Sequence, residues 1–102
     1  MGGHASISPE VLARYAADAA LEVDGVRGLV ESHLPRHRAV RISGAEGEPV
    51  SVELQLVLGW GASFPEVGRV VQERVADYLA RMADLRPARV DVVVAEIGPV
   101  PA

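Results

Sequence analysis

The stretch that decides the fold of this chain runs from Trp60 to Val67 and reads WGASFPEV. It joins an alternating apolar run on its N-terminal side to a run with helical periodicity on its C-terminal side. Ser63 is placed to cap the free N–H groups of a first helical turn, Pro65 suits an early helical position, and Glu66 completes a Ser-x-x-Glu capping box. The stretch therefore predicts a strand, a tight turn and a helix in immediate succession.

The runs on either side of this turn predict the longest strand and the longest helix. Before the turn, apolar residues alternate with mostly polar ones, as in a strand with one face on a core. They are Val50, Val52, Leu54, Leu56 and Leu58. After the turn, apolar residues recur at spacings of three and four, which predicts an amphipathic helix ending near Leu85. They are Val67, Val70, Val71, Val75, Tyr78, Leu79 and Met82.

The N-terminal half of the chain predicts a second helix and two shorter strands. A helix capped by Ser8 continues with apolar residues on one stripe to about Glu22, and the Asp-Gly pair that follows ends it. Residues 26–30 then predict a short strand. Residues 31–49 predict a loop and hairpin region, because they contain several prolines and glycines, with a further strand at 39–43.

The last predicted strand follows a proline at position 87 that stops the second helix. Val90, Val92 and Val94 share one face of it. The other face is also largely apolar and consists of Asp91, Val93, Ala95 and Ile97. We therefore expect this strand to be buried on both sides. A strand, a helix and a strand in so short a span also make the two long strands parallel neighbours.

The predicted fold class is α/β, in the two-layer α+β form: a small mixed sheet of three to four strands with two amphipathic helices on one face. We expect one domain over residues 6–98, with flexible tails at 1–5 and 99–102. No remaining element is predicted to cover the second, partly apolar face of the sheet. That face predicts self-association or a protein partner.

Composition excludes several classes of protein. The 102 residues carry a formal charge of −4, which opposes binding to a phosphate backbone. The chain has no cysteine, so it has no disulfide framework, thiol nucleophile or thiolate metal site, and the cytoplasm is the expected compartment. No apolar run approaches the ~20 residues of a membrane span. We therefore expect no direct membrane insertion.

The motifs that could indicate a cofactor, a metal or catalysis are incomplete. Gly59-Trp60-Gly61 lies between a strand and a helix, but Phe64 occupies the position where a dinucleotide-binding loop requires glycine. His33 and His37 have a ligand-like spacing, yet Pro35 between them opposes a helix. No serine lies in a G-x-S-x-G elbow. We therefore predict no catalytic residue, no cofactor and no metal, and the chain is not expected to be an enzyme.

One motif leaves an alternative function open. The segment Gly25–Gly28 matches the G-x-x-G loop with which KH domains clamp a nucleic-acid backbone, and Arg27 supplies a positive charge. In this chain the segment follows a helix and enters a strand, which favours a helix end and a tight turn. A small RNA-binding module is the alternative prediction. An enzyme with an unrecognised pocket is a third possibility.

The order and spacing of several segments resemble the bacterial alkaline shock protein family, also called the envelope stress response family. The resemblance covers nearly the whole chain. Its segments are Ile7–Val11, Ala19–Val26 with Gly28-Leu29, Pro65–Val67, Val71–Val75 and Val90–Val94. The chain departs from the family pattern at Trp60, where a Tyr is usual, and at Phe64, where an aliphatic residue is usual. Residues 31–49 match no motif of the family.

The resemblance implies a small α/β domain with no established enzymatic activity. It also implies self-assembly and, in some members, attachment to the cytoplasmic membrane by a separate anchoring protein. We therefore expect a cytoplasmic interaction or scaffold protein that contributes to cell-envelope homeostasis, through a membrane-anchored partner or a homo-oligomer. The candidate partner-binding residues are Trp60, Phe64, Val93 and Ile97. No DNA partner is expected.

Overall fold

The computed structural model of the chain describes residues 7–30, 39–44 and 48–98. Within them lie α1 (Pro9–Leu21), β1 (Val26–Leu29), β2 (Val40–Ser43), β3 (Ser51–Gly59), α2 (Phe64–Ala83) and β4 (Arg89–Gly98). β3 is the central strand: β1 and β2 pair with it antiparallel, and β4 pairs with it parallel. This is the predicted mixed sheet. The predicted tails at 1–5 and 99–102 lie outside the described residues.

β1 and β2 lie end to end along one edge of β3. β1 pairs with β3 from Leu58 to Leu56, and β2 pairs with it from Leu54 to Ser51. The two segments meet at Gln55, whose carbonyl oxygen accepts from the Val30 N–H at 3.1 Å and whose N–H donates to the Ala39 carbonyl at 2.8 Å. They therefore act as one interrupted edge strand, and β4 occupies the whole of the opposite edge of β3.

The core lies between the sheet and the two helices. Alternate residues of β3 are completely buried: Val52, Leu54, Leu56 and Leu58. They pack against buried residues of α1, namely Leu12, Ala16, Ala19 and Ala20, and of α2, namely Val67, Val71, Val75 and Leu79. The rings of Tyr15 and Tyr78 meet edge to face, with centroids 5.7 Å apart, and link the two helices. Within the described residues, neither helix has the length and apolar composition needed to cross a membrane.

The two helix starts differ from each other. The Ser8 hydroxyl accepts from the Val11 N–H at 3.3 Å, as the sequence predicted. Ser63 is the N-cap of α2, but its side chain makes no capping hydrogen bond, so the predicted capping box is wrong in that respect. Pro65 at N2 has no N–H, so the N–H of Glu66 at N3 is the remaining donor for a side-chain cap, and the Ser63 hydroxyl does not accept from it. Ser63 contributes its carbonyl instead, which accepts from the Val67 N–H at 2.9 Å.

β4 differs from its prediction in burial and in register. It is an edge strand, and Gly98 is its one buried residue, so the expectation of burial on both sides is wrong. The register shifts between Leu56/Val94 and Val57/Glu96, which inserts Ala95 as a bulge. Because a one-residue insertion reverses the faces that follow, Ile97 pairs with Leu58 on the helix-covered side. Val93 keeps its predicted place on the open face, opposite Gln55.

The open face of the sheet is more polar than the sequence predicted. At the end where β3 begins, Glu53 lies between Arg41 and Asp91 across the strands. Arg41 pairs with Glu53 at 3.6 Å, and Arg89 pairs with Asp91 at 3.1 Å, so the two neighbouring carboxylates each have a cation. The apolar side chains of β3 and β4 on this face are those of Val57 and Val93, which lie beyond this charged end.

Candidate protein-interaction site

The turn from Gly59 to Ala62 is fixed by backbone hydrogen bonds to two other parts of the fold. The Gly59 N–H donates to the Gly25 carbonyl at 3.0 Å, and the Trp60 N–H donates to the Gly98 carbonyl at 3.1 Å. Within the turn, the Ala62 N–H donates to the Gly59 carbonyl at 3.3 Å, and Gly61 has a φ of 84°. The side chain of Trp60, 66% exposed, is therefore held on a well-defined turn.

Gly25, whose carbonyl accepts from the Gly59 N–H, lies beside this turn. Its φ is 94°, a conformation that favours glycine, and a β-carbon there would lie 2.8 Å from Cγ2 of Val67. Gly28, by contrast, has no atom within 4 Å of a β-carbon position. The first glycine of the G-x-x-G segment is thus explained by the turn between α1 and β1, which supports the structural interpretation of that motif.

Arg27 crosses the sheet to reach the end of β4. It is the extra residue at the register shift in β1, between the pairs Val26/Leu58 and Gly28/Val57. A β-carbon at Gly98 would collide with Nη1 of Arg27 and would lie 3.3 Å from its Cζ and 3.4 Å from its Cδ. The Arg27 side chain therefore packs against the glycine that ends β4. Gly59 pairs with Gly98 between β3 and β4, so neither strand places a side chain in the path of Arg27 at this point.

These segments enclose an open concavity of about 460 Å³, lined by Gly25–Arg27 and Gly59–Ala62. We call it the Trp60 pocket. Its wall consists of the indole, small residues and backbone, with one guanidinium. A pocket of this kind is suited to a ligand that combines an apolar group with a negative charge.

A second concavity of about 300 Å³ lies between the start of α2 and the end of α1. It is lined by Glu22, Val23, Asp24, Ser63, Glu66, Val67, Val70 and Arg74. Three carboxylates and one guanidinium give this groove an acidic character. Two of its lining residues, Asp24 and Ser63, are next in sequence to Gly25 and Ala62, which line the Trp60 pocket.

The four predicted partner-binding residues do not form one continuous surface. Trp60 lines the pocket, and Phe64 is the first residue of α2, 39% exposed. Val93 is 42% exposed on the open face, whereas Ile97, 45% exposed, lies on the helix-covered side at the end of β4. Three of the four therefore belong to the end of the sheet near Trp60, and Val93 belongs to a separate surface.

The structure brings together two regions that the sequence assigned to competing functions. Trp60 supported a protein interface, Gly25–Gly28 supported an RNA-binding loop, and both line the same pocket. The place of Arg27 in that pocket, and its contact with Gly98, were not recognised from the sequence. Gly59 and Gly98, which end the two long strands, were a possible signal in the sequence. Their pairing depends on the bulge at Ala95, which cannot be recognised in the alternating pattern.

The ionisable side chains of the site limit the chemistry that it can perform. Among the residues that line the Trp60 pocket, Arg27 has the one ionisable side chain, and a guanidinium does not act as a base near neutral pH. Within residues 7–30, 39–44 and 48–98, no group of three or more His, Asp and Glu side chains is placed to hold a metal ion. His33 and His37 lie outside these residues.

Comparisons with known proteins agree on kinship. The model of the alkaline shock protein twenty-three family, described as having a cell envelope-related function, matches residues 1–99. The uncharacterised protein YqhY of Bacillus subtilis (strain 168) is 31% identical over 93 residues, which cover 81% of this chain and 68% of YqhY.

Solved structures with a similar fold include those of the MamM CTD. One of these structures matches with a TM-score of 0.59 and 17% identity, and the match covers 89% of this chain and 98% of the MamM CTD chain. A cadmium form of a MamM CTD variant matches with a TM-score of 0.60 and 18% identity, covering 92% and 100%. At such low identity the likeness concerns the fold alone.

Proposed function

The chain belongs to the alkaline shock protein twenty-three family, whose function is cell envelope-related, and from this premise we propose that it is a non-enzymatic interaction protein of the cell envelope. In this proposal the domain works on the cytoplasmic side of the membrane. It binds a membrane-anchored protein through the end of the sheet that carries Trp60, Phe64 and Ile97. The family resemblance supports the anchored partner, because some members are held at the membrane in this way.

The observation that carries the proposal is the exposed indole of Trp60. Trp side chains are highly buried on average in folded proteins, and Trp is enriched among the residues that dominate protein interfaces. Here the indole is 66% exposed, although its backbone is bonded to the end of β4. A fixed backbone reduces the entropy lost when a partner covers the side chain. These features are those of an interface residue.

Self-assembly is the second part of the proposal and uses a different surface. β4 is an edge strand of ten residues, and one of them, Val93, is exposed on the open face. Such an edge can pair with another strand, although the bulge and the charged residues along β4 limit that pairing. We propose that the middle of the open face, around Val93, contacts a second copy of the chain.

The alternative of an RNA-binding module receives no support from the geometry. Gly25 has its own structural explanation, and the G-x-x-G segment lies between a helix and a strand rather than between two helices. The formal charge of −4 also opposes a polyanion. We therefore do not propose a nucleic-acid function.

The test of the proposal is a comparison of captured partners. Tagged wild-type protein, Trp60→Ala and Met82→Ala are recovered from crosslinked native cells after nuclease treatment, and the membrane fraction is analysed quantitatively. Met82 is the matched control, since it is a large apolar residue, 48% exposed, in the last turn of α2. We expect the wild type and Met82→Ala to recover the same membrane protein and Trp60→Ala to lose it. Equal recovery by all three would contradict the proposal.

A further inference from the structure

We propose that the Trp60 pocket recognises an acidic segment of the partner protein, with one Asp or Glu carboxylate bound by Arg27 and an adjoining apolar side chain on the Trp60 indole. This inference rests on the proposed function, because it states the chemistry of the partner that the Trp60 end of the sheet binds. It assigns a binding role to Arg27, which the family resemblance does not.

The first argument is the position of the Arg27 side chain. A long, flexible side chain normally loses conformational entropy when it binds a ligand. Arg27 packs over Gly98, at a place where a β-carbon would collide with its guanidinium. The glycines at 59 and 98 are register partners and leave that path open. The guanidinium is thus directed to one end of the sheet before any ligand arrives.

The second argument is that Arg27 has no carboxylate partner and lines the pocket. Among the described residues, Arg41, Arg69 and Arg89 form ion pairs with carboxylates of this chain, whereas Arg14, Arg74, Arg81 and Arg86 form none. Of the unpaired arginines, Arg27 is the one that lines the Trp60 pocket. Over the part of the chain that the structure describes, no carboxylate pairs with Arg27. A planar guanidinium that has no internal partner and faces a concavity is suited to bind a carboxylate with two parallel hydrogen bonds.

The third argument concerns the apolar component of the ligand. Gly59 and Gly61, on either side of Trp60, have no side chains that would cover the indole. Ala62 and Val26 complete the apolar wall of the pocket. A ligand that placed a carboxylate on Arg27 would therefore bring its adjoining groups against an apolar surface. An Asp or Glu next to an apolar residue supplies both parts.

The surrounding charges favour a single carboxylate over a polyanion. The adjoining groove carries Glu22, Asp24 and Glu66. A nucleic-acid backbone that reached Arg27 would place further phosphates near these carboxylates, on a chain whose formal charge is already −4. One carboxylate, in contrast, is neutralised by one guanidinium. We therefore assign the pocket to an acidic peptide segment.

The test begins with an unbiased selection of peptides. A phage-displayed library of random heptapeptides is selected on the immobilised full chain, and the selected sequences are synthesised with amidated C-termini. Trp60 is the single Trp of the chain, so its fluorescence reports binding at the pocket directly. We expect the selected peptides to share an Asp or Glu beside an apolar residue and to change this fluorescence saturably. Replacing that acidic residue by its amide should weaken binding about tenfold.

Variants of the protein complete the test. We expect Arg27→Gln to lose the selected peptides and Arg27→Lys to keep only part of the affinity, because a lysine cannot form the two parallel bonds. Arg86→Gln is the control, since Arg86 is exposed and lies between α2 and β4, at the other end of the sheet. Peptides without a common acidic residue, binding unaffected by Arg27→Gln, or stronger binding of a single-stranded RNA 12-mer would each overturn the inference.

The same variants separate this inference from the proposed function. In the capture experiment, loss of the membrane protein in Trp60→Ala together with full recovery in Arg27→Gln would refute the carboxylate site and leave the proposed function standing. Full recovery of the membrane protein by both variants would refute the proposed function itself. Loss in both, with thermal unfolding unchanged, is the result that the inference predicts.

Discussion

At the scale of single residues, the glycines of this chain differ in whether the fold requires a glycine at their position. Gly25 combines a left-handed backbone with a close approach to Val67, so both its conformation and its surroundings exclude a side chain. Gly28, three residues later, has neither constraint. The G-x-x-G pattern therefore contains one glycine that the fold requires and one that it does not, a distinction that a motif match cannot make.

We predict that Gly25→Ala lowers the free energy of unfolding by about 1–3 kcal/mol, because alanine must adopt a positive φ and displace a methyl group of Val67. Gly28→Ala is the matched control within the same motif. It should change stability by less than about 0.5 kcal/mol, since the position is open. Urea unfolding followed by circular dichroism measures both. Equal destabilisation by the two substitutions would contradict this explanation of Gly25.

At the scale of elements, the sequence predicted what depends on local pattern and missed what depends on register. The alternation in β3 and the periodicity of α2 identified both elements and their buried faces, because a two-layer fold buries one face of each. The parallel pairing of β3 with β4 also followed from the connection between them. Chain order and pattern thus determined most of the architecture.

The bulge at Ala95 could not be predicted, because it interrupts an apolar run in which either register places apolar residues on both faces. Its consequence is large for the candidate site. Ile97 lies on the side of Leu58 instead of the side of Val93, which divides the predicted partner surface in two. The path of Arg27 over Gly98 depends on the same register. The Trp60 pocket could therefore be identified only from the structure, whereas Trp60 itself was identified as a candidate from the sequence.

The helix starts provide a prediction at this scale. Ser8→Ala should lower the free energy of unfolding by about 0.5–1 kcal/mol, because it removes the hydroxyl that accepts from the Val11 N–H. Ser63→Ala should cost less than about 0.5 kcal/mol, since the Ser63 hydroxyl makes no capping bond and the carbonyl that accepts from Val67 is retained. Chemical denaturation of both variants tests the difference. A larger loss at Ser63 would show that its hydroxyl caps α2 in solution.

At the scale of the whole molecule, the fold presents different surfaces at different places. The helix layer and the sheet enclose the core, the open face carries ion pairs around Glu53 and an apolar centre around Val93, and the end of the sheet carries the Trp60 pocket. This separation allows one surface to contact another copy while the other contacts a different protein. A scaffold needs such independent surfaces.

The separation leads to a prediction about self-association. Val93→Lys should shift the protein towards the monomer in sedimentation velocity experiments, because a charge placed at the centre of the open face opposes its burial. Val11→Lys is the matched control: Val11 is 38% exposed on α1, close to the 42% of Val93 on the sheet. It should leave the sedimentation profile unchanged. An oligomer that persists in Val93→Lys, or dissociates equally in Val11→Lys, would contradict the proposed contact.

The central claim is that the end of the sheet next to Trp60 contacts a membrane-anchored protein in the cell. Site-specific photo-crosslinking tests it most directly. A benzophenone amino acid replaces Phe64, which begins α2 beside this end, or Met82, which lies in the last turn of the same helix. We predict that light produces one specific adduct with a membrane protein from position 64 and none from position 82. The absence of that adduct, or the same adduct from both positions, would contradict the account.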